Sequence, residues 1–142
     1  MLGRYVTDLQ VGDELGPVEH VLTPFLIREY SHAVEETSER FQGAEGSFAP
    51  PTILHPGKLR LLDHACPEGG GPTARLHLIY DATYHQMIPA ASTLELGGGV
   101  VERFEHRGRE RLVLEFEVRD KVTGTVYTTY RDTSLLGYRP NG

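Results

Sequence analysis

Two short segments decide the fold expected for this chain: Tyr30-Ser-His-Ala-Val-Glu-Glu-Thr-Ser-Glu-Arg-Phe41 and Ala49-Pro-Pro-Thr-Ile-Leu-His-Pro-Gly-Lys58. Apolar residues recur at helical spacing from Thr23-Pro24 into the first segment, and this period stops near Glu36. Thr23 suits a helix N-cap and the following proline suits the first helical position. The second segment leaves a Gly/Pro-rich loop and begins another helix. The pair therefore predicts a helix, an acidic loop and a second helix.

The second predicted helix runs through Ile53 to Cys66 and carries few charges among its middle positions, so we expect it to be largely buried. Its expected apolar side consists of Leu59, Leu62 and Ala65, with Leu61 and Cys66 beside them. A Gly/Pro stretch from Glu68 to Pro72 ends this helix.

After Pro72 the hydrophobic period changes to two, as in strands. Leu76, Leu78 and Tyr80 alternate with His77 and its odd-numbered neighbours, which predicts two different faces. Gly97-Gly-Gly99 predicts a bulge or bend inside a strand, and turns are expected at 106–109 and 120–124. Periodicity gives two helices and three long C-terminal strands, with at least one more strand before Thr23. Helices followed by strands are typical of an α+β domain with an antiparallel sheet.

Length and composition favour one ordinary globular domain over residues 1–142. The net charge of -6 disfavours nucleic acid as a partner. Cys66 is the only cysteine, so an intrachain disulfide is impossible and a reducing cytoplasm is the expected location. We expect no signal peptide and no membrane helix, since no apolar run approaches the roughly 20 residues that a membrane helix requires.

The order and spacing of several segments resemble the MaoC-like hot-dog family, and more narrowly the N-terminal dehydratase domain of type I fatty acid synthases. The resemblance covers nearly the whole chain and is carried by Val11–Glu14, Thr23–Tyr30, Ala49–Thr52, Tyr80–Pro89 and Gly108-Arg109. It implies a single hot-dog fold, in which a curved antiparallel sheet wraps a long central helix. It also implies a dimer that joins two sheets, with an acyl thioester on coenzyme A or a carrier protein lying between the protomers.

Active members of that family add water to a 2-enoyl thioester or remove it from a 3-hydroxyacyl thioester, using an Asp followed five positions later by a His. Alignment on Tyr30 places Glu36 at the Asp position and Phe41 at the His position. The family's His-Gly pair at the start of the central helix becomes His55-Pro56-Gly57. Its Pro-x-Gly-Asp segment becomes Pro89-Ala-Ala-Ser92.

The resemblance and the chemistry of hydration together nominate the site residues. Hydration needs a group that activates water, a group that handles the C2 proton and donors for the enolate-like oxygen. Glu36 is the candidate base and His55 the candidate histidine, although a solvated acidic helix end and a loop hydrogen bond are the plainer explanations. The N–H groups of Gly57 and Lys58 are candidate donors, and Pro56 removes one donor from that turn. Phe41, Tyr84 and His85 are expected to line the substrate pocket.

The leading hypothesis is an enoyl-thioester hydratase or 3-hydroxyacyl-thioester dehydratase that needs no cofactor or metal. One alternative is a noncatalytic hot-dog subunit, favoured by Phe41, that binds the acyl tail while a partner hot-dog chain supplies Asp and His. Another is a hot-dog protein with thioesterase activity or a role in specialised metabolism. The partners expected are an acyl-CoA or acyl-carrier thioester and a second hot-dog chain, but no membrane.

Overall fold

A computed structural model describes residues 5–54, 57–69 and 74–138 of the chain. The two α-helices are α1, Pro24–Ala33, and α2, Gly57–Ala65, and short 3-10 turns cover Val6–Asp8, Glu39–Phe41 and Pro51–Leu54. The strands are β1 Glu14–Val21, β2 Phe48–Ala49, β3 Ala74–Tyr84, β4 Ile88–Pro89, β5 Thr93–His106, β6 Arg109–Asp120 and β7 Val126–Tyr138.

The five longest strands form one antiparallel sheet in the order β1-β5-β6-β7-β3, and β2 pairs with β4 in a separate two-stranded sheet. Four long strands follow α2, one more than the sequence predicts. Helix α2 packs across the inner face of the sheet, where Leu61 and the facing Leu96 are fully buried. Each such leucine contributes about 1.5–3 kcal/mol by leaving water. The predicted helix-on-sheet arrangement of an α+β domain is present.

Helix α1 begins where the sequence predicts, but fewer of its apolar residues are buried than the sequence predicts. The Leu26 N–H donates to the Thr23 hydroxyl at 3.1 Å, which caps the helix, and Pro24 occupies its first turn. Of the ten helical residues only Ile27 and Ser31 are buried, whereas Leu26 is 41% exposed. The apolar face expected from periodicity therefore remains partly in solvent in the single chain.

The burial of α2 also differs from the sequence-based expectation. Leu61 and Leu62 lie in the core. Leu59, which the sequence places on the apolar side of the helix, is 48% exposed. Lys58 is buried in its place. An ionic contact described below explains why a lysine occupies a core position in this helix.

The inner and outer faces of β3 are set by a bulge that the sequence does not reveal. His77 lies opposite Ser134 and Ile79 lies opposite Thr133, so Leu78 is an extra residue with no partner of its own on β7. Because the bulge reverses the alternation, the ring of His77 lies on the same face as that of Tyr80, at 5.6 Å between centroids. The prediction that His77 and Tyr80 alternate between faces is wrong.

The contact between β1 and α2 gives a testable pH dependence. Burial, and then the nearby charge of Arg60, lowers the pKa of His20 below its ordinary value of 6.5. The unfolded chain therefore binds this proton first as the pH falls. The stabilisation associated with neutral His20 is complete above pH 6.5 and is lost as the pH decreases through the lowered pKa.

We expect His20→Asn to reduce the acid sensitivity of folding. Urea unfolding between about pH 7 and pH 5 should show a smaller loss of unfolding free energy in the variant than in the wild type. His106→Asn, at an exposed position at the end of β5, serves as the control and should keep the wild-type slope. Equal slopes for His20→Asn and the wild type would contradict the prediction.

Among the described residues, no helix is both long enough and apolar enough to cross a bilayer.

Candidate functional site

The loop that follows α1 is fixed by hydrogen bonds around Glu36. The Ser38 N–H donates to the Glu36 carboxylate at 2.9 Å. The Gln42 side-chain amide donates to the backbone carbonyls of Glu36 at 2.8 Å and of Ser38 at 3.1 Å. The half-buried Glu36 side chain is therefore held on an ordered turn. It is more constrained than a solvated helix end would require.

Phe41 lies at the other end of the same loop. The Ser31 hydroxyl, buried in α1, donates to the Phe41 carbonyl at 2.6 Å. The Phe41 ring is half-buried and stands beside the exposed Arg40, whose guanidinium lies 5.9 Å from the ring centroid. The Phe41 ring contributes shape and apolar surface to this loop and has no group that can transfer a proton.

One hydrogen bond joins α1 to the segment that leads into α2. The Tyr30 hydroxyl, in the last turns of α1, lies 2.6 Å from the Thr52 hydroxyl. Thr52 belongs to the 3-10 turn just before the start of α2. This contact joins α1, which precedes the Glu36 loop, to the turn that precedes α2.

Gly57 is the first residue of α2 and packs directly on the sheet. A Cβ built at Gly57 would lie 2.9 Å from Leu96 Cδ2 and 3.7 Å from the Phe116 ring, so a larger residue would push the helix start outward. The backbone N–H groups of a first helical turn have no partner within the helix and favour an anionic oxygen. His55 and Pro56 lie outside the described residues, and their roles remain predictions.

A buried ionic cluster occupies the sheet beside this helix start. Lys58 Nζ lies 3.1 Å and 3.0 Å from the two carboxylate oxygens of Asp132 on β7. His77 Nε2, on β3, lies 2.8 Å from Asp132 Oδ2, and the Ser134 hydroxyl donates to Oδ1 at 3.2 Å. The Asp132 side chain is fully buried, and that of His77 is 44% exposed. The cluster thus connects the interior beneath α2 to the surface at β3.

Three aromatic rings continue from this cluster into the core. Tyr80 stacks near Tyr130 at 5.4 Å between centroids, and Tyr130 stacks on Phe116 at 4.6 Å. Burial raises the pKa of Tyr130 to about 12 and raises that of Tyr80 further above its ordinary value. Both phenols therefore stay protonated near neutral pH. They are suited to donating hydrogen bonds and unsuited to acting as bases.

The remaining two residues that the sequence predicts to line the substrate pocket are Tyr84 and His85. Tyr84 ends β3 and is 44% exposed. His85 Nε2 lies 3.1 Å from the Thr129 hydroxyl, and the His85 N–H donates to the Tyr127 carbonyl at 2.8 Å. These contacts place His85 beside the first residues of β7. Neither residue has a described contact with Glu36, Phe41, Gly57 or Lys58.

Asp132 and His77 were not nominated from the sequence, although part of the signal is visible there. Alternate residues of β7 that share the inner face are Thr128, Tyr130, Asp132 and Ser134, so a carboxylate stands in an inward position of a strand. A buried carboxylate requires a cationic or hydrogen-bonding partner. Lys58, at the second position of α2, is such a partner.

A large surface depression lies elsewhere. It has a volume of about 790 Å³ and lies around Gly97–Gly99 and the charged residues Arg119 and Arg131. None of the predicted site residues lines it. Among residues 5–54, 57–69 and 74–138, no three His, Cys, Asp or Glu side chains are grouped to hold a metal ion.

Comparison with known proteins places the chain by its fold. Its sequence matches no protein-family model and no curated protein. Among solved structures it is similar to a monoamine oxidase regulatory protein from Archaeoglobus, with a TM-score of 0.76 and 14% identity over 96% of this chain and 95% of that one. It is also similar to a (3R)-hydroxyacyl-ACP dehydratase complex from Mycobacterium tuberculosis, with a TM-score of 0.74 and 14% identity over 88% and 96%.

A third similar structure is a MaoC-like dehydratase from Rhodospirillum rubrum, with a TM-score of 0.68 and 16% identity over 97% of this chain and 99% of that one. The likeness extends over nearly the full length of each protein, so it concerns the whole domain and not one motif. The chain therefore has the single α+β hot-dog fold of the MaoC-like dehydratases, as its sequence predicts.

Proposed function

We propose that the protein is a hot-dog enoyl-thioester hydratase or 3-hydroxyacyl-thioester dehydratase acting on an acyl-CoA or acyl-carrier substrate. The observation that carries the proposal is the 2.6 Å hydrogen bond between Tyr30 and Thr52. It ties the helix preceding Glu36 to the segment preceding Gly57. A carboxylate on an ordered loop and the N–H groups of a helix start are two of the three elements that hydration needs.

In the proposed reaction, the thioester carbonyl of the substrate faces the N–H groups at the start of α2. Glu36 takes a proton from water as the water oxygen bonds to C3, and the electrons of the C2–C3 double bond shift toward the thioester oxygen. The N–H groups of Gly57 and Lys58 stabilise the charge that develops there. His55, on the segment before α2, delivers a proton to C2. Dehydration is the same sequence in reverse.

A second hot-dog chain fits the exposed edge of the sheet. Within the described part of the chain, strand β3 pairs with β7 on one side and with no strand on the other, and an open strand edge readily pairs with another strand. Leu78 and Ile79 on this strand are 40% and 51% exposed, and Leu59 on α2 is also exposed. We infer that a partner hot-dog chain, identical or different, covers this apolar edge and completes the acyl site.

The test is hydration of a short 2-enoyl-CoA by the isolated protein, followed as loss of the conjugated enoyl thioester. We expect Glu36→Gln and His55→Ala each to lower kcat about 100-fold, because each removes one acid or base from the reaction. Glu39→Gln, an exposed acid of the neighbouring 3-10 turn, is the matched control and should keep wild-type turnover. Unchanged turnover in both site variants would refute this assignment of residues.

The noncatalytic subunit is the second candidate, and Phe41 is the observation that favours it. Residues 35–54 contain no histidine, so this loop supplies no imidazole. The dehydratase from M. tuberculosis mentioned above is a complex of two chains. If the isolated protein is inactive and gains hydratase activity only with a second hot-dog chain that carries Asp and His, the subunit function is correct and autonomous catalysis is not.

A further inference from the structure

The outer face of the five-stranded sheet, opposite α2, takes no part in the proposed reaction. Its side chains alternate with those of the core along β5 and β6, and Glu102, Phe104 and Glu115 on it are exposed. An antiparallel sheet can leave one face in water, so exposure alone does not indicate a partner. The distribution of charge and apolar surface on this face is more specific.

One half of the outer face is an acidic groove of about 790 Å³, which crosses the sheet at Gly97–Gly99, where side chains are missing. The described acidic side chains that line it are Asp13, Glu14, Asp81, Glu115 and Glu117. The lining also holds two arginines, but each is already shared between two carboxylates. Arg119 pairs with Glu95 and Glu117. Arg131 pairs with Glu102 and Glu115. The acidic groove therefore attracts a cationic surface.

The turn between β5 and β6, residues 106–109, carries the opposite charge and is called the basic tip below. Residues 103–111 contain four arginines and two glutamates, in a chain whose net charge is -6. One of these glutamates, Glu110, is paired with Arg103. Arg107 is exposed at the turn itself. The basic tip is therefore a cationic projection at one end of the sheet.

An apolar patch lies between the acidic groove and the basic tip. Phe104 is 42% exposed, and Val113 lies diagonal to it on β6, on the same face. Arg111, directly opposite Phe104, has a buried Nε with no hydrogen-bond partner among the described residues. Buried donors are normally paired, and a chain lying on this face would supply the acceptor. Aromatic and arginine side chains are also those that protein interfaces favour.

The order of groove, patch and tip makes the outer face complementary to a second copy of itself. The midpoint of the chain between Gly98 and Arg107 falls at 102–103, beside Phe104. A two-fold axis through this point lays the basic tip of each copy over the acidic groove of the other. Five strands spaced about 4.8 Å apart and about ten residues long cover roughly 800 Å², which is about the area that a stable interface buries on each partner.

We propose that the outer face joins two copies of this chain back to back, with Phe104 at the centre and the basic tip of each copy in the acidic groove of the other. This contact is separate from the open edge of β3, because β5 and β6 lie away from that edge in the strand order. A hot-dog partner can therefore bind at β3 at the same time. The inference does not rest on the proposed function, since the contact involves no acyl thioester.

The test is sedimentation velocity across a wide range of protein concentrations, at low and at high salt. We expect the wild type to form an assembly that weakens as salt is added, because exposed charges hold it. Arg107→Glu reverses the tip, and Glu14→Lys with Asp81→Lys reverses the groove. Each variant should weaken self-association at least about tenfold. An equimolar mixture of the two variants should associate again, because opposite charges then meet at both contacts.

Glu45→Lys, at an exposed position in the loop between α1 and β2, is the matched charge control and should associate like the wild type. Circular dichroism checks that every variant is folded. Association that is lost in the two reversed variants and regained in their mixture supports the inference. A monomeric wild type, or a mixture that stays dissociated, overturns it. An assembly that survives both reversals is held by another contact, and it overturns the inference while leaving the hydratase proposal standing.

Discussion

Lys58→Met is expected to lower the free energy of unfolding by about 3–5 kcal/mol, because it leaves the carboxylate of Asp132 buried without its cation. The side chain of Asp132 is fully buried and that of Lys58 is 9% exposed, so water cannot replace the lost contact. A typical domain is stable by only about 5–15 kcal/mol, so the loss is a large part of the total. Urea unfolding at neutral pH measures it.

A double-mutant cycle tests whether the loss of unfolding free energy comes from the interaction between Lys58 and Asp132. Lys58→Met combined with Asp132→Leu removes both charges, and the double variant should be markedly more stable than either single variant. The control lies one residue away, where exposed Arg131 pairs with Glu115 on the outer face. Glu115→Gln should cost under about 1 kcal/mol. A cost for Lys58→Met as small as that of Glu115→Gln would contradict the prediction.

The parts of the fold that local sequence determines were predicted well. The cap at Thr23 and the turn at 106–109 depend on residues within a few positions of one another, and the structure confirms both. The turn at 120–124 is closed by N–H donors of Val122 and Thr123 to the Asp120 carboxylate. Such features follow from short-range chemistry and need no knowledge of the neighbouring strands.

The candidate site was predicted only in part, for a physical reason. Glu36 and Gly57 were predicted from motif order along the chain. Glu36 lies on the loop after α1 and Gly57 is the first residue of α2, and their roles stay predictions. The face of His77 depends on the bulge at Leu78, which is defined by pairing with β7, some 55 residues away in sequence. The side chain of Lys58 was likewise assigned only a backbone role, because its partner Asp132 lies 74 residues away. Long-range register decides these contacts, and periodicity does not report it.

Gly98→Ala is the second substitution with a large expected effect. We expect it to lower the free energy of unfolding by about 3 kcal/mol or more, or to prevent folding. A Cβ at this position would lie 2.1 Å from the Glu115 carbonyl oxygen and 2.5 Å from Phe116 Cα. These are backbone atoms of β6, held by pairing to both β5 and β7, so they cannot move aside as a flexible side chain would. Strand β5 would have to separate from β6 at the centre of the sheet.

The glycine beside it makes the matched control. At Gly97 a Cβ would meet nothing closer than the end of the Arg119 side chain, at 3.9 Å, which is ordinary contact. Gly97→Ala should therefore fold like the wild type, with an unfolding free energy within about 1 kcal/mol of it. Circular dichroism and urea unfolding of both variants distinguish two explanations. One is the close approach of Gly98 to the backbone of β6, and the other is a general intolerance of side chains throughout Gly97–Gly99. Equal stability of the two variants would show that the strands adjust at Gly98 and would contradict the prediction.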